Sequence, residues 1–102
     1  MASNDSPKGE LVIPHAAVTD PRAIELARIW AAEGKQHVSL ATGLWDDPAA
    51  WGIMLVDLAH HVANAYALTE GRSTADVLAR IRVGFDTEWD NPTDSATGNL
   101  PS

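Results

Sequence analysis

The chain has 102 residues, of which 45% are hydrophobic and 21% charged, an ordinary globular composition with room for one domain. Fourteen acidic residues against seven basic ones give a formal net charge of -7, a sign that repels both the phosphate backbone of nucleic acids and an anionic membrane surface. The absence of cysteine excludes disulfides, thiolate metal sites and a cysteine nucleophile, and it fits a reducing, cytoplasmic compartment.

Residues 1–10 mix Ser, Asn, Asp, Pro, Lys and Gly with almost nothing apolar, so ordering them gains too little to offset lost chain entropy. They also lack the basic segment and apolar run of an export signal. Residues 91–102 have the same character. The reading is therefore a disordered tail at 1–10, a single small domain over 11–90 and a second disordered tail at 91–102, without internal repeats.

Leu11-Val12-Ile13-Pro14 reads as a short extended arm laid against the core. Residues 20–34 are ambiguous. Asp20-Pro21 is a good helix start, Gly34 a good stop, and Ala, Glu, Leu and Arg favour helix. The competing reading makes residues 26–32 a strand, with Leu26, Arg28 and Trp30 on one face and Ala27, Ile29 and Ala31 on the other. Glu33-Gly34-Lys35-Gln36 would then lead into a second strand over residues 37–42. His37-Val38-Ser39-Leu40 alternates cleanly, and a lone strand cannot satisfy its backbone groups, so the hairpin is favoured, preceded by a short helical turn over residues 20–24.

Gly43 ends the second strand, and Trp45-Asp46-Asp47-Pro48 opens the main helix, with Asp47 as cap and Pro48 in the first turn. Trp51, Leu55, Leu58, Val62 and Ala65 follow at steps of four, three, four and three and draw one apolar stripe. Ile53, Val56 and Ala63 add a second. Gly52, which costs helix stability by about 1 kcal/mol relative to Ala, suggests close approach of a backbone or an aromatic ring. The run from Pro48 to Leu68 is about 30 Å long as a helix, yet Asp57, His60, His61 and Asn64 within it make it a soluble helix and not a bilayer span.

Gly71 ends that helix, and Ser73-Thr74-Ala75-Asp76 starts another by capping-box spacing. Val77, Leu78, Ile81, Phe85 and Trp89 share one face, Asp76 with Arg80 and Arg82 with Asp86 are spaced for ion pairs, and Asn91-Pro92 stops it. The fold class predicted is α+β: an antiparallel β-hairpin followed by a long and a shorter α-helix. A two-stranded ribbon covers only one flank of the main helix, so the core is expected to be completed by dimerisation about a twofold axis.

Arg28-Ile29-Trp30, His37-Val38-Ser39-Leu40 and above all Trp45-Asp46-Asp47-Pro48-Ala49-Ala50-Trp51-Gly52 resemble a family of short uncharacterised bacterial proteins, a domain of unknown function. The resemblance runs from about Ala23 to Trp89. It implies a stand-alone α+β domain of bacterial origin and tilts residues 24–32 toward strand. It implies no activity, cofactor or catalytic residue.

Two groups of residues are candidates for function. Asp57, His60, His61 and Asn64 lie on one side of the main helix, where a metal would take Asp57 and His61, or the carboxylate would orient an imidazole as a base. A catalytic zinc site needs three protein ligands, the glutamate-bridged pair of histidines of known zinc helices is absent, and polar helix faces far outnumber metal sites. His15 and His37, the remaining imidazoles, read as ordinary surface or strand residues, and Asp46 and Asp47 as helix-start residues. Serine-hydrolase elbows and phosphate-binding glycine loops are missing. The second group is the four tryptophans, Trp30, Trp45, Trp51 and Trp89, which suit core, interface or pocket.

The reading favoured is a non-catalytic homodimeric interaction or regulatory module, with no cofactor or metal and no nucleic-acid or membrane partner. The alternative is a small metal-dependent or acid/base enzyme using Asp57, His60 and His61. A third reading is a small-molecule module with a pocket lined by Trp30, Trp51 and Trp89.

Overall fold

A computed structural model describes residues 8–92, so the expected disorder of the ends lies outside the described residues for 1–7 and 93–102. The order of elements is α1 (His15–Thr19), β1 (Ala27–Ala32), β2 (Lys35–Leu40), α2 (Ala49–Glu70) and α3 (Thr74–Asp90). The α+β class, the hairpin and the long and shorter helices are as predicted, and within the ambiguous segment residues 27–32 are strand.

The strands pair antiparallel from Ala27 opposite Leu40 to Ala32 opposite Lys35. The ladder extends one step further, where Ala41 N–H donates to the Leu26 carbonyl at 3.0 Å. The connection is tighter than the four-residue loop expected from sequence. Glu33 and Gly34 alone form it, with φ of 56° and 72°. Two consecutive left-handed residues make the mirror-image turn whose twist matches the right-handed twist of the strands. Lys35 and Gln36 thereby join β2. The helical turn expected over residues 20–24 also sits elsewhere: α1 precedes it, starting after Pro14, and Asp20 ends α1. The Arg22 N–H donates to Asp20 Oδ1 at 2.9 Å in a side-chain turn.

The helix ends fall at or beside the sequence signals, α2 starting at Ala49 so that Pro48, not Asp47, is its cap residue. Ala49 N–H donates to Asp47 Oδ1 at 3.0 Å, and Gly71 closes α2 in the left-handed conformation, φ 68°. Ser73 Oγ accepts from Asp76 N–H at 3.3 Å, and Asn91 is the last cap. Of the two expected ion pairs on α3, Arg82 with Asp86 forms at 3.0 Å, and among the described residues Asp76 with Arg80 does not.

The architecture consists of two units. The strands contact each other and the helices contact each other, but no residue of β1 or β2 comes within 8 Å, Cα to Cα, of α2 or α3. The radius of gyration is 15.9 Å, against about 13 Å for a compact chain of this length. Among the described residues only Ala63 of α2 and Val77 of α3 are buried.

Candidate interaction surface

The face of α2 that meets α3 is made of alanines. Ala59, Ala63 and Ala67, four residues apart, form a ridge of small side chains that are at least half-buried and let Val77, Leu78 and Ile81 of α3 approach closely. The apolar stripe predicted from Trp51, Leu55, Leu58 and Val62 lies about 100° further round the helix and does not meet α3. Leu55, Leu58 and Val62 are 45%, 43% and 38% exposed. An apolar helix face of this length without a neighbour is the most conspicuous feature of the molecule.

The apolar stripe of α3 outruns its partner. Val77 is 3% exposed at the turn end, whereas Phe85 is 48% and Trp89 71% exposed near the other. Their rings stack on each other, with centroids 5.2 Å apart and planes 24° from parallel.

In the hairpin the register groups Ala27, Ile29, Ala31, Gln36, Val38 and Leu40 on one face, and Arg28, Trp30, Ala32, Lys35, His37 and Ser39 on the other. Ile29 is exposed although it stands opposite Val38. The N-terminal arm runs beside β1 and encloses with it an open groove of about 760 Å³, lined in part by Leu11, Val12, Ile13, Ile24, Ile29 and Trp30. Arg28 anchors the arm. Its Nε donates to both oxygens of Glu25 at 3.0 Å and its Nη1 to Glu10 Oε2 at 2.7 Å. The bond to Glu25, then that to Glu10, raises the guanidinium pKa above its ordinary value.

The tryptophans do not converge. Trp45 and Trp51 meet edge to face at 5.1 Å where α2 begins, Trp89 lies on Phe85, and Trp30 lines the groove beside β1. Among the described residues no ring contact joins Trp30, Trp51 and Trp89. Asp57, His60, His61 and Asn64 are all exposed and spread over an arc of about 100° on α2. No three His, Asp or Glu side chains among the described residues gather as metal ligands. No described helix is long and apolar enough to cross a membrane.

Sequence reasoning found the stripe on α2 but not the groove. The signal for it was the isolated apolar triplet Leu11-Val12-Ile13 directly after an acidic residue whose partner, Arg28, is 18 positions away.

Comparison with known proteins places these features in a family. The chain belongs to the domain of unknown function DUF5076, matched over residues 10–93. No curated protein matches it. A solved structure, provisionally described as a pyruvate dehydrogenase of the photosynthetic bacterium Rhodopseudomonas palustrus, is 31% identical with a TM-score of 0.72. The similarity covers 95% of this chain and 98% of that one.

Proposed function

We propose that this DUF5076 domain is a non-catalytic, homodimeric interaction or regulatory module of the bacterial cytoplasm. One observation carries the reading: only Ala63 and Val77 are buried among the described residues, while large apolar side chains on both helices, the hairpin and the arm face solvent. Single exposed apolar residues are common on monomers, but contiguous apolar faces of this extent mark association.

The area supports the same reading. The chain presents 8803 Å², whereas a compact monomer of 10.9 kDa would present about 5,600 Å². Exposed apolar faces on both helices and the hairpin contribute to this difference, and a standard interface takes roughly 800 Å² from each partner. Twofold pairing is the simplest closed arrangement that hides these faces. The -7 charge supports a partner other than nucleic acid, and the lack of cysteine suits a reducing interior.

The activity in the neighbour's description is not carried over. Oxidative decarboxylation of a 2-oxo acid relies on a carbanion-stabilising cofactor bound through phosphates. Among the described residues of one protomer there is neither a glycine-rich turn ahead of a helix nor a gathered set of acidic and imidazole ligands for an accompanying cation.

Light scattering on a sizing column at micromolar concentration tests the proposal. A mass twice the 10.9 kDa of the chain, maintained on dilution, is expected. A single-chain mass at every concentration would overturn it.

A further inference from the structure

We propose that the two halves of the fold pack on each other in trans: the apolar face of each hairpin covers the free face of α2 in a second copy of the chain. The inference rests on the homodimer proposed above and specifies its core. Each half is insufficient alone. A two-stranded hairpin is marginal in water without something against its face, and the helix pair buries one residue from each helix. Within one chain the halves do not approach each other, so the covering elements come from the second copy.

The two unpartnered surfaces fit in length. Six residues per strand give the hairpin about 20 Å, and the exposed stripe of α2 from Leu55 to Val62, about 11 Å long between the packed Trp51 and the Tyr66 ring under Arg72, lies within that length. Both are apolar: Ile29 and Val38 at the centre of the hairpin face, Leu55, Leu58 and Val62 on the helix. The opposite hairpin face carries Arg28, His37 and Lys35 beside the half-buried Trp30, which the N-terminal arm flanks.

The other twofold arrangements leave one of these surfaces bare. Pairing α2 with α2 of the second copy would build a helical bundle and leave both hairpins uncovered. Pairing edge strands would extend the sheet and leave the stripe of α2 in water. Hairpin on helix, made twice about one axis, covers both surfaces with a single kind of contact. It also accounts for the separation of the two halves in one chain, since each is folded against the other copy.

The chain has no cysteine, so introduced thiols report without background. Ile29→Cys and Leu58→Cys chains, each made separately, are unfolded together, refolded as a mixture and treated with a short bismaleimide. Trans packing gives a covalent pair in the mixture, limited to about half of the chains by random pairing, and much less from either variant alone. A mixture that scatters as a dimer but cross-links only through Leu58→Cys with itself overturns hairpin-on-helix packing and leaves the homodimer standing. A single-chain mass overturns the homodimer itself. Should either variant fail to fold, the unmodified chain answers the same question. In a mixture of carbon-13-labelled and unlabelled protein, NOEs between chains that link Ile29 or Val38 methyls to Leu55, Leu58 or Val62 methyls are expected, and their absence from a confirmed dimer overturns the inference.

Discussion

Arg28 Nη1 and Glu10 Oε2 meet at 2.7 Å across 18 residues of chain, tying the N-terminal arm to the first strand. The arm's own apolar residues do not hold it, since Leu11 and Val12 are 87% and 91% exposed. Glu10→Ala therefore releases the arm while the hairpin stays paired. Hydrogen exchange at Leu11, Val12 and Ile13 is expected to accelerate while exchange along β1 and β2 is unchanged. Raised salt should act in the same direction by screening the pair. Unaltered exchange in the arm would show that the contact does not position it.

The tight turn of the hairpin carries a residue poorly suited to it. Glu33 sits at φ 56°, a left-handed conformation that Asn adopts more readily, ahead of Gly34 at φ 72°. Glu33→Asn is expected to raise thermal stability by a few tenths of a kcal/mol, and Gly34→Ala to lower it by about 1 kcal/mol. The loss of the 3.7 Å contact between Glu33 and His37 subtracts little from the first effect, because both side chains are exposed. Thermal melts of the two variants, read at a fixed protein concentration, check the opposite signs.

Gly52 lies in the first turns of α2 with no atom of another element within 4 Å of the position a Cβ would take. The close approach anticipated from sequence is thus absent within the chain. Gly52→Ala should stabilise the helix by about 1 kcal/mol, a rise in Tm of about 4–8 °C for a domain of this size. A fall in Tm, with dissociation seen by light scattering, would instead put the second copy's backbone against this glycine.

Exposure also decides the expectation for the histidine cluster. Asp57, His60 and His61 have no hydrogen bond or ion pair to one another. His61→Ala should change stability by no more than about 0.5 kcal/mol, as for other surface substitutions away from special features. Calorimetric titration with zinc, manganese and nickel should give the same heats for the variant as for the parent chain. Tight binding that disappears in His61→Ala would revive the metal-dependent enzyme reading.

Chain-local signals were the legible part of the fold. Asp47-Pro48, Gly71, Ser73 and Asn91 each mark a helix end through one side chain or one backbone conformation, and the alternation in His37-Val38-Ser39-Leu40 specifies a strand without reference to anything distant. The turn was misjudged because a glutamate rarely takes positive φ, so nothing in Glu33 advertised a two-residue connection. The five residues of α1 are too short for a period to show. For the surface, periodicity disclosed that Leu55, Leu58 and Val62 share a face but not what lies opposite. A helix apolar on several sides offers α3 more than one place to dock, and the small volumes of Ala59, Ala63 and Ala67, not the greater hydrophobicity of the leucines, decide which is used.

That choice separates two exposed leucines of α2 by function. Leu58, 43% exposed, lies in the stripe with Leu55 and Val62, whereas Leu68, 87% exposed, lies on the arc of Asp57 and His61. If the stripe is the centre of the dimer contact, Leu58→Asp buries a carboxylate without a partner there and weakens association by about 2 kcal/mol or more, at least about 30-fold in Kd. Leu68→Asp adds a charge to a face that already carries polar groups and should leave the mass unchanged. Light scattering across a dilution series measures both, and far-ultraviolet circular dichroism follows what the separated chains retain. Because neither the hairpin nor the helix pair has an adequate core of its own, the Leu58→Asp protein should lose helical signal as it dissociates, coupling folding to assembly. Equal behaviour of the two variants would remove the stripe from the interface.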